Sequence, residues 1–295
     1  MKWTHRTTRK IARELARAGI HVSGNSVARI LRSRGFSLRV NHKKLARGSH
    51  RDRNRQFLYI ASLREAFRAE TLPVVSVDTK KKELVGQFKN PGAVWVKDPV
   101  LVNDHDFRSD ADGIAVPYGL YDTGANRGHL VIGTSHDTPA FAVDCFVSWW
   151  LHSGRHRYPH ADHILLLADN GGSNGSRCRA WKFNLQTRFC DRFQIAVTLA
   201  HYPSGASKWN PVEHRFFSEF SKNCAGRPLN SFETLLKYAR TTRTTTGLRV
   251  TAALSRRHYD TGVKVSDTDM ATLNIHSPKT LPQWNYTLLP RRASA

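Results

Sequence analysis

Three carboxylate side chains occupy positions at which an α/β sheet places reactive groups. Asp78 ends the apolar run L-P-V-V-S-V, and Asp169 ends the apolar run I-L-L-L-A. Open α/β sheets carry their sites at the carboxyl ends of their strands, and a carboxylate beside a core is costly unless it is paired or bound to a metal. Both residues are therefore candidate metal ligands, although each taken alone is equally compatible with a helix cap or a turn.

The third carboxylate, Glu213, lies in W-N-P-V-E-H-R-F-F, where Pro211 suits the first turn of a helix that directs Glu213 back toward the strand ends. Between Asp169 and Glu213 lie 43 residues, beginning with the glycine-rich turn N-G-G-S-N, whose backbone can pass close to a phosphate or an ion. Carboxylate oxygens are hard ligands of the kind that Mg²⁺ and Mn²⁺ prefer. The three residues therefore predict a site for such divalent ions.

The composition favours an anionic partner. Among 295 residues, 46 Lys and Arg stand against 23 Asp and Glu, which gives a formal charge of +23. Nucleic acid fits such a field because binding releases the counterions condensed on phosphates, and an anionic membrane is the rival. No apolar stretch is long enough for a membrane span, and the amino terminus is basic without an apolar segment. We therefore expect no membrane partner and a cytoplasmic location.

The first 40 residues carry a helix-turn-helix pattern. Apolar residues recur at helical spacing through Ile11 and Leu15, Gly19 breaks the pattern, and Ser23 opens a second helix. The polar side of that second helix presents Asn25, Ser26, Arg29 and Arg32. These residue types contact base edges and phosphates in a major groove, and the alternative is an ordinary basic helical hairpin.

A charged segment, 41–55, follows and includes Lys43 and Lys44. Its sign and position favour contact with the DNA backbone. Beyond it, strands are predicted over 74–78, 82–88, 163–168, 195–199 and as a pair within 114–134, and helices over 56–69, 139–151, 178–193 and 212–222. From residue 74 several strands come first, and helices and strands then alternate, which implies an α/β fold with a mixed sheet and helices on its faces.

Three motifs carry a resemblance to a known family: V-S-V-D, L-L-L-A-D-N-G-G-S-N and H-Y-P-S-G-A-S-K-W-N-P-V-E-H-R-F-F. Together they resemble the DDE transposases of bacterial insertion sequences, in particular the ISAzo-type family, a relative of the Tc/mariner-like elements. The resemblance implies an RNase H-like catalytic domain with the first acid on the first strand, the second after the fourth strand and the third on a late helix. Asp78, Asp169 and Glu213 match these places in order.

The chemistry implied by this resemblance is metal-dependent cleavage of DNA at the element ends and strand transfer into a target. Two Mg²⁺ or Mn²⁺ ions, held by the three acids, would flank the scissile phosphate. Four neighbouring residues are expected to support the acids or contact phosphate: Asn170, His201, Lys208 and Asn210. The expected partner is double-stranded DNA, on which the protein would act as a homo-oligomer.

The expected organisation has four parts: a helix-turn-helix region over 1–40, a basic linker and helix over 41–71, the RNase H-like domain over 72–225, and a helical or irregular extension over 226–295. Two alternatives stay open. One is a shortened or domesticated copy that binds DNA without cutting it, because family members carry additional residues before the helix-turn-helix. The other is a retroviral-type integrase, although no His/His/Cys/Cys zinc module precedes the core.

Overall fold

The computed structural model describes residues 6–38, 50–206 and 209–291. The predicted DNA-contacting residues Lys43 and Lys44 and the predicted phosphate-contacting Lys208 lie outside these ranges. The chain divides into two compact units, Met1–Arg47 and Gly48–Ala295, which are described separately.

The first unit contains two short helices, α1 (Thr8–Arg17) and α2 (Gly24–Ser33). Ser23 caps α2, because its Oγ accepts a hydrogen bond of 3.0 Å from the backbone N–H of Ser26. The helices pack through a small apolar contact in which Ala12 and Val27 are buried. The predicted helical pair is thus present at the amino terminus, with the second helix opening where the sequence indicated.

The second unit is built on one sheet. Its strands are β1 (Val74–Thr79), β2 (Glu83–Val85), β3 (Gly113–Asp122), β4 (Arg127–Gly133), β5 (His163–Ala168), β6 (Ala196–His201), β7 (Arg249–Ser255), β8 (Ile275–His276) and β9 (Asn285–Leu288). Its α-helices of five or more residues are α3 (Arg53–Ala69), α4 (Pro139–Trp149), α5 (Arg179–Leu185), α6 (Ser218–Cys224), α7 (Phe232–Thr241) and α8 (Asp267–Ala271). Three π-helical segments adjoin them: Trp150–Gly154 after α4, Gln186–Cys190 after α5 and Val212–Phe217 before α6.

The strand order across the sheet is β7-β4-β3-β1-β5-β6-β9-β8, with β2 paired to β3. β1, β5 and β6 are parallel neighbours, β3 is antiparallel to both β1 and β4, and β7 is parallel to β4. Helices cover both faces of this mixed sheet. The predicted α/β class with an RNase H-like sheet is therefore confirmed, and the two amino-terminal helices precede it.

The core lies on the two faces of the sheet. On one face, α4 and α5 cover strand residues such as Val77 and Leu166. On the other face, α6 and α7 cover β3, β4 and β7, while Ile60 and Phe67 of α3 pack on β1, β5 and β6. Burial of each large apolar side chain contributes roughly 1.5–3 kcal/mol, so both layers hold the central strands in place.

The segment after residue 225 differs from its prediction. It was expected to be helical or irregular, whereas β7 pairs with β4 at one edge of the sheet and β9 pairs with β6 toward the other. These pairings give the edge strands β4 and β6 hydrogen-bond partners that they would otherwise lack. The carboxyl-terminal segment is thus part of the sheet, and its prediction as helical or irregular is wrong in this respect.

Within the described residues, no helix has both the length and the apolar character that a membrane span requires.

Candidate active site

Asp78 and Asp169 leave two adjacent parallel strands at the same end of the sheet. β1 and β5 pair in a register that sets Val77 opposite Ala168, so the next residue on each strand is the carboxylate. Asp78 Oδ1 accepts a hydrogen bond of 2.8 Å from the backbone N–H of Thr79. The strand pairing thus brings the first two predicted acids to one edge.

The third acid, Glu213, belongs to the π-helical segment Val212–Phe217, directly after Pro211. π-Helical turns occur frequently at functional sites. The segment begins against β1, because Ser76 Oγ accepts a hydrogen bond of 2.9 Å from the backbone N–H of Val212. This contact fixes the start of the helix beside the strand that carries Asp78.

Asn210 connects all three parts of the site. Its fully buried side chain accepts a short hydrogen bond from Ser76 Oγ, and its Nδ2 donates to the carbonyl of Val77 at 3.2 Å and to Asp169 Oδ1 at 3.4 Å. A buried amide whose oxygen and nitrogen both form hydrogen bonds is costly to replace, because its partners would be left without hydrogen bonds. Asn210 therefore ties β1, Asp169 and the Glu213 segment together.

A close approach between helix and sheet supports this arrangement. A side chain on Gly119, which lies opposite Asp78 on β3, would overlap the ring of Phe217. Phe216 packs similarly against Gly128 on β4. Glycine at these strand positions lets the segment carrying Glu213 lie directly on the sheet.

The pKa values of two of the three acids are raised by burial and by neighbouring carboxylates. Burial, followed by the charges of Asp169 and Glu213, raises the pKa of Asp78 to about 8. Burial and the charge of Glu213 raise the pKa of Asp169 to about 6, against a lowering contribution from the Asn210 hydrogen bond. Like charges crowded beside a core favour the neutral form of a carboxyl group. A cation bound between these carboxylates would therefore favour their ionised forms.

A cavity of about 360 Å³ opens at this edge of the sheet. Its lining residues are Asp78, Thr79, Lys80, Lys81, Lys82, Asp137, Asp169, Gly171, Gly172 and Asn174. Lys80 forms an ion pair with Glu83. Lys81 and Lys82, which also line the cavity, do not share that partner. The cavity thus combines carboxylates with cationic side chains, as a site for a phosphate and a divalent ion requires.

Two residues of the cavity were not singled out from the sequence. Asp137 accepts a hydrogen bond of 3.2 Å from Thr79 Oγ1, and Asn174 is buried with its Nδ2 lacking a hydrogen-bond partner among the described residues. Asp137 precedes Thr138, the cap of α4, so its sequence context is typical of a helix start. Asn174 lies in the glycine-rich turn, where only the backbone had been considered.

Two of the predicted supporting residues do not line the cavity. His201 is fully buried, with its Nδ1 donating to the backbone carbonyl of Asp169 at 3.1 Å, and burial lowers its pKa to about 4. A buried neutral ring cannot attract phosphate, so His201 can position Asp169 only. Asn170 accepts a hydrogen bond from Ser176 Oγ and does not line the cavity.

The predicted DNA-reading residues of α2 fall into two groups. Asn25, Arg29 and Arg32 are exposed at helical spacings that share one face. Ser26 is half-buried, and its hydroxyl is hydrogen-bonded to Ser23 Oγ at 3.0 Å. The face available to a ligand therefore consists of one amide and two guanidinium groups.

The donor set fits a divalent cation chemically, although the described residues contain no group of three His, Cys, Asp or Glu side chains arranged ready to hold a metal ion. Asp78 and Asp169 line the cavity and Glu213 does not, and burial together with the charges of Asp169 and Glu213 raises the pKa of Asp78. A hard cation would offset that repulsion and bind the ionised forms.

Comparisons with known proteins give one family and several structures. The family model described as the Rhodopirellula transposase DDE domain matches residues 1–290. Among curated proteins, none matches the chain.

Solved structures of Mos1 transposase are similar to this chain. The paired-end complex with the left transposon end has 17% identity and a TM-score of 0.46, covering 79% of this chain and 65% of that one. The Mos1 strand transfer complex has 17% identity and a TM-score of 0.46, covering 79% of this chain and 64% of that one. The mariner Mos1 paired end complex with Mg has 16% identity and a TM-score of 0.47, covering 79% of this chain and 65% of that one. The chain thus spans slightly less than two thirds of the Mos1 chains that it matches.

Because the family model extends over nearly the whole sequence, the chain belongs to the DDE transposases of the Rhodopirellula transposase DDE domain family.

Proposed function

We propose that this protein cuts DNA at the ends of its element and joins them to a target, with Asp78, Asp169 and Glu213 as the metal-binding carboxylates. The observation that carries the proposal is the pairing of β1 with β5, which sets Asp78 and Asp169 side by side, with Asn210 linking them to the Glu213 segment. The reactions would be phosphodiester hydrolysis and transesterification.

Divalent cations would be held by the three acids. Two Mg²⁺ or Mn²⁺ ions bound there would supply Lewis-acid activation of a water or a DNA 3′-hydroxyl and would stabilise the leaving oxygen. The remaining work falls to the protein's own groups. Lys81 and Lys82 attract the phosphate backbone into the cavity, and the unpartnered Nδ2 of Asn174 donates to a phosphate oxygen.

Recognition of the element ends is assigned to α2 in this proposal. Its exposed Asn25, Arg29 and Arg32 suit the major groove, where amide and guanidinium groups form paired hydrogen bonds with bases. Because two ends must meet for joining, the protein is proposed to act as a homo-oligomer on DNA. Sizing of the complex during joining tests this point, and a monomeric complex would exclude it.

Two matched aspartate substitutions, one at each end of β5, test the proposed role of the acids. Asp169 directly follows β5, whereas the exposed Asp162 directly precedes it. The purified protein is incubated with labelled DNA carrying the element ends, with Mg²⁺ or Mn²⁺ and with chelator. Cleavage at the end boundary should require metal, should fall at least about 10³-fold in Asp169→Asn, and should persist in Asp162→Asn.

DNA binding should survive in Asp169→Asn, because the substitution removes a charge that repels phosphate. Binding without cleavage in every metal tested would instead favour the shortened or domesticated DNA-binding copy. Cleavage that persists in Asp169→Asn would show that the carboxylates have been assigned incorrectly.

A further inference from the structure

A second cleft, of about 920 Å³, lies at the opposite end of the sheet, where β4 and β7 begin. Its lining residues are Asp122, Arg127, Gly128, Trp149, His152, Ser153, His156, Arg157, Arg240, Thr241, Thr242, Arg243, Arg249, Val250 and Thr251. We refer to it as the arginine cleft. Since β1 and β4 run in the same direction and strands of six to seven residues rise ~3.3 Å per residue, the cleft lies on the order of 20 Å from the acids.

The charge of the arginine cleft is almost entirely positive. Five arginines and two histidines line it, and Asp122 is the one carboxylate among its described lining residues. That carboxylate is buried and already engaged, because it accepts hydrogen bonds from the backbone N–H of Gly124 at 3.0 Å, the backbone N–H of Ala125 at 2.9 Å and the Tyr158 hydroxyl at 2.9 Å. One carboxylate can offset the charge of only one arginine, so the cleft keeps a large excess of positive charge.

Two of the arginines are anchored by hydrogen bonds to backbone carbonyls. Arg127 donates to the carbonyl of Gly247 at 2.8 Å, and Arg240 donates to the carbonyl of Ala252 at 3.2 Å, so both side chains brace the fold. Arg243 and Arg249 are exposed and face each other across an isolated antiparallel β-bridge. Arg157 is exposed as well, so these three side chains are available to a ligand.

Like charges placed directly opposite each other on paired strands destabilise the pairing. Arg243 and Arg249 stand in that relation, at the mouth of a cleft whose arginines already outnumber its acids. A phosphate group bound between them would remove the repulsion and accept charge-assisted hydrogen bonds. The arrangement is therefore costly to the free protein and favourable to an anionic ligand.

Hydroxyl groups and backbone complete the lining. The segment T-T-R-T-T-T, over residues 241–246, contributes Thr241, Thr242 and Arg243 to one wall, and Thr251 lies on another. The one tryptophan of the lining, Trp149, is buried. Hydroxyls and guanidinium groups are typical of contacts to phosphates and sugars, which position a duplex without reading its sequence.

We propose that the arginine cleft binds the phosphodiester backbone of double-stranded DNA at a second site, separate from the acids. The choice of DNA as the polyanion rests on the proposed function. A duplex held there would lie at the opposite end of the sheet from the phosphate being cut, so the cleft would hold flanking or target DNA rather than the reacting strand.

The test uses charge reversals in the full-length protein, with a random-sequence duplex of about 20 base pairs and chelator present. Arg249→Glu and Arg243→Glu lie in the cleft. Arg192→Glu is the control, because Arg192 is exposed near the same end of the sheet, before β6, and does not line the cleft. Affinity is measured by fluorescence anisotropy at several salt concentrations.

Each cleft variant should weaken binding about tenfold near 0.1 M salt and lower the slope of log Kd against log salt by about 0.9, the value for one lost phosphate contact. The control should change Kd less than about twofold. Equal weakening in all three variants, or none in the cleft variants, would overturn the proposal. If either cleft variant lowers the thermal unfolding midpoint, its Gln counterpart replaces it in the same measurement.

An acidic surface of another copy of this chain is the competing ligand. In that case the cleft variants would change the protein's size in solution without DNA and would leave DNA affinity unaltered, which would also overturn the proposal. Because the assay contains no metal, it stays readable even if cleavage fails. Failure of the proposed function and failure of this inference are thereby distinguishable.

Discussion

The two ends of the central sheet carry their charge in different ways. At the carboxyl ends of β1 and β5, carboxylates are drawn into a small cavity and partly buried, so that the pKa of Asp78 rises to about 8. At the amino ends of β4 and β7, arginines line a wider cleft and several of them stay exposed. One end therefore concentrates unfavourable charge in the protein, and the other presents charge to solvent.

This difference separates two kinds of DNA contact. Buried carboxylates cost stability, and that cost is compatible with function when a bound cation relieves it. Exposed arginines cost little in the free protein, apart from the facing pair at positions 243 and 249. The acidic end is thus suited to chemistry on one phosphate, and the basic end is suited to holding a backbone.

The largest expected effect on stability comes from the packing under the acidic end. Gly119→Ala should lower the free energy of unfolding by about 3 kcal/mol, because the added methyl group overlaps the Phe217 ring. Gly171→Ala is the control, since no heavy atom lies within 4 Å of its added methyl group. Urea denaturation measures both. Equal stability of the two variants would contradict the close approach of the Glu213 segment to the sheet.

Asn210→Ala should lower stability by about 2 kcal/mol, because the carbonyl of Val77 and the hydroxyl of Ser76 lose buried partners. It should also reduce DNA cleavage, since the Glu213 segment loses its tie to Asp169. Asn230→Ala, which removes only an exposed hydrogen bond from Thr234, should change stability by less than about 0.5 kcal/mol. A stable Asn210→Ala protein with full cleavage would show that the link is dispensable.

A smaller effect is expected for Asp137, the additional carboxylate of the cavity. Asp137→Asn should slow cleavage by about tenfold, in line with substitutions of groups that orient metal ligands. Substitution of any of the three acids should slow cleavage far more. Its contact with Thr79, next to Asp78, is the physical reason. Cleavage rates are compared with Asp162→Asn under the same conditions. A loss as large as that of Asp169→Asn would make Asp137 a ligand in its own right.

The smallest effect concerns His129, beneath the basic end. Burial, with the nearby His152, lowers the pKa of His129 to about 4 from its ordinary 6.5. Between these values the unfolded chain binds the proton more readily, so the contribution of His129 to stability falls as the pH falls. From pH 7 to pH 5.5 that contribution should fall by about 1 kcal/mol.

Urea unfolding at both pH values checks this, because the stability of His129→Gln relative to the wild-type protein should rise by about 1 kcal/mol from pH 7 to pH 5.5. The exposed His276→Gln serves as the control and should follow the wild-type protein. An unchanged pH dependence in His129→Gln would show that His129 does not contribute to it.

Much of the central fold follows from local patterns. The apolar runs before Asp78 and Asp169 were long enough to predict two strands and their exit points, and Ser23 marked the start of α2. Pro211 located the helical turn that contains Glu213. In each case neighbouring residues determine the local structure, so the sequence contains the required information.

The remaining features depend on partners far along the chain. β7 pairs with β4 across more than a hundred residues, and its own pattern of exposure gives no alternating signal. The sequence context of Asp137 is that of a residue before a helix cap, and its contact with Thr79 of β1 is evident only in the folded chain. The arginine cleft combines residues from five separate segments, and no local spacing of Arg243 and Arg249 indicates that they face each other.

The central claim, that Asp78 binds the catalytic ion, is tested most directly by exchanging its hard oxygen for a soft sulfur. Asp78→Cys should lose cleavage in Mg²⁺ and regain it at least in part in the more thiophilic Mn²⁺ or Cd²⁺, while Asp162→Cys should cleave normally in Mg²⁺. The readout is cut product from labelled element ends. Restoration by the softer ions would support direct ligation, and full cleavage by Asp78→Cys in Mg²⁺ would contradict it.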